Sequence, residues 1–173
     1  MTEIRHFQHG GLPEGFRQTL IEIHDEAYAD AMDDPFNQRF PWFVDHWSGA
    51  EGFTCVVAYD GDEPVGFAYG APATPGREWW RNTAYRPQNG YTSTYSVSEL
   101  MVRPAWRKQG VAELLHAELL KARTEDLAVL LVDVSHPKVQ ALYEPWGYAK
   151  FGEQQPFADA PVLAVMVKDI RTS

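Results

Sequence analysis

The fold is decided by the stretch Ser98-Glu99-Leu100-Met101-Val102-Arg103-Pro104-Ala105-Trp106-Arg107-Lys108-Gln109-Gly110-Val111-Ala112. It runs from the end of a strand, through a short turn, into the start of a helix. The first turn of a helix leaves backbone N–H groups unpaired and carries a partial positive charge. Because Gly110 and Ala112 keep the bend small, this strand-turn-helix can hold a phosphate group.

Basic side chains surround this turn in a chain that is otherwise acidic. Arg103, Arg107 and Lys108 lie here, whereas the whole sequence has 15 Lys and Arg against 24 Asp and Glu, a net charge of -9. A strongly acidic chain is a poor match for nucleic acid or anionic lipid, since both are bound by clustered Lys and Arg. We therefore expect no nucleic-acid partner and no membrane partner, and a diphosphate as the natural ligand of the turn.

Length and composition predict one globular domain over residues 1–173. The hydrophobic fraction is 45%, which is typical of a chain that folds around a core. The longest aliphatic run, Leu127–Val132, is far shorter than the ~20 residues of a membrane helix, and the N-terminus lacks the apolar stretch of a signal peptide, so a cytoplasmic location is expected. The single cysteine, Cys55, allows no internal disulfide and no thiolate-rich zinc site, and we expect no metal.

Hydrophobic spacing predicts a mixed order of strands and helices. Strands are predicted over Ile4–Phe7, Phe53–Tyr59, Pro64–Tyr69, Tyr95–Val102, Ala128–Val134, Tyr148–Phe151 and Val162–Val167. Helices are predicted over about 13–30, 42–47, 108–123 and 137–146, with a long loop over 71–93 that could cover a site. The Asp60-Gly61 pair between two β-rich runs indicates a tight hairpin.

This order, β-α-α-β-β-β-α-β-α-β-β, predicts an α/β (α+β) fold with a mixed sheet and helices on both faces. An edge strand such as Val162–Val167 could pair across a homodimer. The sequence has no Gly-x-Gly-x-x-Gly fingerprint, no P-loop and no Gly-x-Ser-x-Gly nucleophile elbow. These absences argue against hydride transfer, nucleotide hydrolysis and serine-nucleophile catalysis.

Two motifs at a fixed separation carry a resemblance to a known family. Leu100-Met101-Val102-Arg103-Pro104 followed by Arg107-Lys108-Gln109-Gly110-Val111-Ala112 is the first, and Ala141-Leu142-Tyr143 with Gly147-Tyr148 is the second, about thirty residues later. Together they resemble the GNAT superfamily of acyl-CoA-dependent N-acyltransferases. The resemblance implies a mostly antiparallel sheet of six or seven strands with a V-shaped split between the fourth and fifth strands.

The resemblance also implies acetyl-CoA as co-substrate and a set of coenzyme-binding residues. The main chain of Leu100, Met101 and Val102 would pair with the pantetheine arm, and backbone N–H groups of the following loop would cradle the pyrophosphate. The loop residues implied as coenzyme contacts are Arg107, Lys108, Gln109, Gly110, Val111, Ala112 and Glu113. Where many members carry an Asn contact this sequence has His136, which could still donate a hydrogen bond. A tyrosine in the position of Tyr143 usually gives a proton to the departing thiolate.

Glu99 is the candidate base, because an alkylammonium with a pKa near 10 must lose a proton before it attacks a thioester. It could act directly or through water. Strand alternation leaves open whether its side chain faces the site or the opposite side of the sheet. The backbone N–H of Met101 is the candidate donor to the oxyanion, because preorganised backbone donors need no side chain.

The charge distribution suggests the acceptor. Residues 1–60 contain eleven acidic and three basic residues, a balance of -8. The resemblance implies that the N-terminal helices and the loop before the motif strand form much of the acceptor side. The residues concerned are Asp25, Glu26, Asp30, Asp33, Asp34, Trp42, Trp47, Trp79 and Trp80. Carboxylates and aromatic faces both attract cations, although a solvated helix face with core tryptophans explains the same residues.

The prediction is therefore an N-acetyltransferase that moves an acetyl group from acetyl-CoA to a primary amine of a small cationic molecule, by direct transfer in a ternary complex. Two alternatives stay open: a protein or peptide N-acetyltransferase, and a non-catalytic acyl-CoA-binding regulator. His116, in the middle of a predicted helix, is expected to be exposed.

Overall fold

All seven predicted strands are present in the computed structural model, which describes residues 2–171. The strands are β1 Thr2–Gln8, β2 Thr54–Asp60, β3 Glu63–Pro72, β4 Thr94–Val102, β5 Leu127–Asp133, β6 Ala149–Gln154 and β7 Leu163–Asp169. Hydrogen bonding orders them β1-β2-β3-β4-β5-β7-β6. The β4–β5 pair is parallel, whereas β1–β2, β2–β3, β5–β7 and β6–β7 are antiparallel. The predicted mixed, mostly antiparallel sheet is confirmed.

Within residues 2–171 the chain also forms five α-helices: α1 Phe16–Ala27, α2 Pro35–Gln38, α3 Phe40–Ser48, α4 Val111–Leu120 and α5 Pro137–Tyr143. The prediction over 13–30 was too long, because Gly15 stands before α1 with φ +84° and Tyr28 leaves helical geometry after it. Sequence spacing missed α2, a four-residue helix. Its start is fixed by Asp34, whose side chain accepts a hydrogen bond from the Phe36 N–H at 2.9 Å.

The chain divides into two compact units. The first unit comprises Met1–Ala71 and Ser98–Arg123, and the second comprises Pro72–Val97 and Thr124–Ser173. The single domain over 1–173 stays a prediction, and its terminal residues 1, 172 and 173 lie outside the described part of the chain.

In the first unit, helices cover both faces of the strands, as predicted. Cys55, Val57, Phe67 and Tyr69 belong to the cluster that packs with α1 and α3. Ala58, paired with Gly66, lies on the other face: a Cβ at Gly66 would stand 3.2 Å from Leu115 Cδ1 of α4 and 2.9 Å from the Met101 carbonyl oxygen. Successive strand residues point to opposite faces. Alternate residues of β2 and β3 therefore pack against α1 and α3 on one face and against α4 on the other.

Cys55 and His116 are both buried. Cys55 is a fully buried apolar residue of β2, and burial raises the pKa of its thiol well above the usual value. His116 was expected to be exposed, and this was wrong: it is 5% exposed. The buried residues of α4 are Val111, Leu115, His116 and Leu119, so the packed face of the helix is wide enough to include His116.

The second unit contains the long predicted loop, and residues 73–93 have no helix or strand in the described structure. Trp80 anchors the loop, since it packs in a core cluster with β5 and β7 residues and its Nε1 donates to Thr94 Oγ1 at 2.9 Å. The Ala84 N–H donates to the Phe151 carbonyl at 3.1 Å. Trp80 is thus a core residue, which corrects its expected place on an acceptor face.

The expectation that Val162–Val167 forms an edge strand was also wrong. β7 lies between β5 and β6, pairing with β5 from Leu163 to Asp169 and with β6 from Leu163 to Val167. Its four consecutive residues Ala164–Val167 are buried, as is typical of a strand covered on both sides. A homodimer through this strand is therefore excluded, and a homodimer in any other form stays a prediction.

Candidate active site

The turn before α4 has the backbone geometry of an anion site. Lys108 has φ +61° and Gly110 has φ +81°, and the Leu114 N–H already bonds the Gly110 carbonyl at 3.1 Å. Gly110 precedes the helix without a side-chain cap, and a Cβ there would meet open space. The first-turn N–H groups of Val111, Ala112 and Glu113 are therefore presented to a ligand.

Arg107 fixes this turn in place. Its Nε donates to the Val102 carbonyl at 3.2 Å and its Nη2 to the Ala27 carbonyl at 3.1 Å. These acceptors are the last residue of β4 and the last residue of α1. The guanidinium therefore ties the turn to two elements that are far apart in sequence.

Two further side chains hold the same region. Gln109 Nε2 donates to the Ala105 carbonyl at 3.1 Å. Arg103, with a side chain 14% exposed, pairs with Glu26 and donates from Nε to the Pro64 carbonyl at 2.8 Å. Lys108 and Glu113 are exposed at the turn. The side chains of Arg107 and Gln109 thus act within the protein, while Lys108 faces solvent.

β4 offers main chain beyond its pairing with β5. The parallel ladder ends at the pair Val97–Leu130, and β4 continues to Val102. Met101 and Val102 are buried and Leu100 is half-buried. A split between the fourth and fifth strands requires that their pairing stop before β4 ends, as it does here. Leu100, Met101 and Val102, which lie beyond the last pair, are the residues predicted to pair with pantetheine.

Glu99 faces α1, α2 and α3, which is one of the two sides that strand alternation left open. It lines a small pocket of about 50 Å³. The other lining residues are His24, Tyr28, Phe36, Asn37, Phe40 and Phe43. Burial raises the pKa of the Glu99 carboxyl from 4.5 to about 8, because the charged form loses its hydration there.

His24 is a residue of this pocket that the sequence analysis did not single out. It lies on α1, is 4% exposed, and stacks on Phe40 with ring centroids 4.0 Å apart and planes at 1°. Burial lowers the pKa of His24, although the neighbouring Asp25 opposes the shift. The sequence did contain a signal for the burial of His24. It follows Leu20 by four residues and Ile23 by one, which places it on the apolar side of α1.

Tyr69 brings a second polar group into this region. Its hydroxyl is buried and has no hydrogen-bond partner among the described residues. Burial raises the pKa of Tyr69 well above its usual value, and the charge of Glu99 adds to the rise. Buried polar groups without a partner are uncommon in folded proteins, and this one is close enough to Glu99 to respond to its charge.

The acidic residues expected on the acceptor side divide into two groups. Asp34 caps α2, Glu26 pairs with Arg103, and Asp25 contacts His24, so these three have structural partners. Asp30 and Asp33 are exposed and are the residues that can act on a ligand at longer range.

The second unit contains the remaining predicted site residues. Tyr143, at the end of α5, is buried, and its ring meets Trp146 edge-on at 5.2 Å and Tyr148 at 5.8 Å. His136 precedes α5 and is exposed, with Nε2 3.7 Å from Asp133 Oδ2. Neither side chain is placed by these contacts in a catalytic or coenzyme-binding role, so both roles stay predictions.

The sequence profile of the acetyltransferase (GNAT) family matches residues 17–148. The chain belongs to this family. The predicted membership and the acyltransferase class are therefore confirmed, and acetyl-CoA is the acyl donor that the family uses. In the described part of the chain, no helix has the length and apolar character needed to cross a membrane.

Individual relatives are more distant. The chain is 35% identical over 104 residues to mycothiol acetyltransferase of Kocuria rhizophila, a match that covers 60% of this chain and 28% of the relative. The match thus takes in less than a third of that protein's length.

Solved structures share the fold. An acetyltransferase of the GNAT family from Desulfovibrio desulfuricans superimposes with a TM-score of 0.70 at 15% identity, covering 98% of this chain and 99% of its own. The PaiA N-acetyltransferase of Thermoplasma acidophilum, solved with coenzyme A, superimposes with a TM-score of 0.62 at 13% identity, covering 98% and 99%. At these identities the likeness extends to the fold alone.

Replacing Glu99 by Gln tests the raised pKa. The pKa of Glu99 is about 8 in the folded state and 4.5 in the unfolded state. Its contribution to the free energy of unfolding is therefore complete below pH 4.5 and is lost as the pH rises through 8. The uncharged Gln does not titrate, so Glu99→Gln should gain stability relative to the wild type between pH 5 and 9, measured by urea unfolding. Glu113→Gln, an exposed change on α4, is the matched control and should lack this trend. An equal difference at pH 5 and pH 9 for Glu99→Gln would contradict the raised pKa.

Proposed function

We propose that this chain transfers an acetyl group from acetyl-CoA to the primary amine of a small cationic molecule, directly and within a ternary complex. The observation that carries the proposal is Glu99: its carboxyl lines a pocket between α1, α2, α3 and β4, on the strand that leads into the anion-binding turn. Amine acetylation requires a group that can accept a proton and a site for the coenzyme. Here Glu99 lies on the strand that leads to the phosphate-binding turn. The coenzyme supplies the acetyl group as an activated thioester.

The residues present at the turn suit a coenzyme pyrophosphate. Backbone N–H groups of Val111, Ala112 and Glu113 would bind its oxygens, and Gly110 leaves room for the phosphate to approach the main chain. Lys108 would add a positive charge from its exposed side chain. Arg107 and Gln109 would contribute through the main chain, since their side chains bond to other parts of the protein.

Further contacts to the coenzyme are proposed along β4 and before α5. The main chain of Leu100, Met101 and Val102 would pair with the pantetheine arm as an added strand. His136 would donate a hydrogen bond where other family members use Asn, and its exposure is compatible with that contact.

Three groups would move or stabilise charge during the reaction. The Glu99 carboxylate, which forms as the pH approaches and passes its pKa of about 8, takes a proton from the acceptor ammonium. The Met101 N–H donates to the acetyl carbonyl oxygen while the amine nitrogen forms its bond to the carbonyl carbon. Tyr143 gives its phenol proton to the sulfur as the carbon–sulfur bond breaks, and the second proton lost by the amine nitrogen restores the phenol.

The proposed acceptor is small and cationic. The pocket of about 50 Å³ is too small to admit a peptide main chain. Its rings from Tyr28, Phe36, Phe40 and Phe43 can attract a cation, and the exposed Asp30 and Asp33 add negative potential at longer range. The match to mycothiol acetyltransferase also favours a small-molecule acceptor. The cytoplasmic location stays a prediction.

The direct experiment measures thiol release from acetyl-CoA with a panel of polyamines, aminoglycosides, arylalkylamines, amino acids and short peptides. We expect the fastest release with a small cationic amine. In Asp30→Asn/Asp33→Asn, the KM for that amine should rise several-fold at low salt and less at high salt, because the attraction is screened. The charge-matched control, Glu14→Gln/Glu51→Gln, removes two exposed carboxylates elsewhere in the first unit. A preference for peptides, or an equal KM change in both double variants, would contradict the proposed acceptor class.

Gly110→Ala tests the coenzyme turn. The new Cβ meets no atom, so the change acts through φ +81°, a conformation that costs a residue with a side chain about 1–2 kcal/mol. Relaxation of the turn should raise the Kd for coenzyme A about fivefold or more, measured by calorimetry. Gly76→Ala, at φ +92° and also in open space, imposes a similar backbone cost in the 73–93 loop. It should leave the Kd unchanged, and equal Kd values for Gly110→Ala and the wild type would remove the turn from the binding site.

Tyr143→Phe distinguishes an enzyme from a binding module, because only an enzyme has a kcat that the substitution can lower. The loss of the proton donor should lower kcat about a hundredfold without weakening coenzyme A binding. Tyr148→Phe removes the neighbouring phenol, 5.8 Å away between ring centroids, and is the matched control. Unchanged kcat in Tyr143→Phe would exclude Tyr143 as the acid.

A further inference from the structure

We propose that His24 is a proton-relay residue of this site, which takes from Glu99 the proton that the acceptor ammonium releases and passes it to Asp25 at the protein surface. The inference rests on the proposed function, because it assumes that Glu99 is the first proton acceptor. His24 acts through Glu99 and not on the substrate, so it is a positioning residue rather than a catalytic one.

The pocket connects the two groups. Glu99 reaches it from β4 and His24 from α1. Tyr28, which directly follows α1, is the remaining titratable residue of the lining, and its neutral phenol is a poor proton acceptor. The residues that α2 and α3 contribute, Phe36, Asn37, Phe40 and Phe43, do not titrate. A water needs roughly 10–15 Å³ of such space, so a pocket of about 50 Å³ has room for water between the carboxyl and the ring.

The two ring nitrogens of His24 have different surroundings. Nδ1 lies 3.2 Å from Asp25 Oδ1, and the Asp25 side chain is 51% exposed. A carboxylate neighbour favours the tautomer in which Nδ1–H donates to it, which leaves Nε2 with a lone pair. Nε2 is therefore the nitrogen that can accept a proton, and Asp25 leads from the ring to bulk water.

Aromatic stacking fixes the orientation of the ring. His24 lies parallel to Phe40 at 4.0 Å and close to parallel to Tyr28 at 4.8 Å and 29°. Burial keeps the pKa of His24 below its usual value, so the ring is neutral near pH 7 and Nε2 retains its lone pair. Stacking alone needs no nitrogen, because a phenylalanine would stack on Phe40 without the cost of burying two polar atoms.

Tyr69 is the other polar group that responds to Glu99, and it does not offer a way out. Its hydroxyl is fully buried without a hydrogen-bond partner among the described residues, beside the rings of Phe53 and Phe67. A proton passed to that side would meet apolar residues. Of the two routes from Glu99, the one through His24 ends at an exposed carboxylate.

The steps balance in protons and involve no change of oxidation state. The ammonium N–H bond breaks and an O–H bond forms on Glu99. That proton then moves through pocket water to Nε2 of His24, and the imidazolium releases its Nδ1 proton to Asp25 and on to solvent. Exchange with pocket water restores the starting tautomer, so one proton leaves the site in each turnover.

Two variants at His24 and one control test the relay. His24→Phe keeps a ring on Phe40 and removes both nitrogens, and His24→Ala opens space into which added imidazole can bind. With the best amine of the panel, both variants should lose about tenfold or more in kcat with little change in KM. Rising imidazole concentrations should restore much of the loss in His24→Ala and none in His24→Phe. His46→Phe, an exposed histidine that stacks on Trp42 at 5.3 Å, should keep the wild-type kcat and show no response to imidazole.

The outcomes separate this inference from the proposed function. Wild-type kcat in His24→Phe across pH 6 to 9 would overturn the relay while the enzyme assignment stands. A loss in His24→Ala that imidazole does not restore, in protein that still binds coenzyme A, would assign His24 a packing role only. No thiol release by the wild type with any amine would overturn the proposed function, and the relay with it.

Discussion

The Arg107 guanidinium is the interaction on which the rest of the site depends. It donates to the last carbonyl of β4 and to the last carbonyl of α1, where its charge also suits the negative end of the helix dipole. With the ends of both elements fixed, the turn from Lys108 to Gly110 keeps two left-handed residues, Lys108 and, two positions later, Gly110. The N–H groups that follow are oriented before any ligand arrives, which lowers the entropy cost of binding.

The same interaction connects the coenzyme turn to the acceptor pocket. α1 carries Ala27, which Arg107 contacts, and one helical turn earlier His24, which lines the pocket beside Glu99. The Arg103–Glu26 pair joins these elements a second time. The turn and the pocket are therefore parts of one packed assembly within the first unit, built from α1 and the end of β4.

Burial acts on the two titratable groups of the pocket in opposite ways. It raises the pKa of Glu99 to about 8 and lowers that of His24, because in both cases the charged form is the one that loses hydration. Both groups are therefore largely neutral near pH 7, and neither needs an ion pair to be accommodated.

The sequence alone predicted the strand positions, the hairpin between β2 and β3, the turn at Gly110 and the family, because hydrophobic periodicity and glycine conformations are local properties. It did not place β7 inside the sheet, turn Glu99 toward α1, bury His24 and His116, or engage the Arg107 side chain. Each of these depends on residues far apart along the chain. Strand pairing and side-chain burial both follow from the packing of whole elements. They are therefore known only from the tertiary structure.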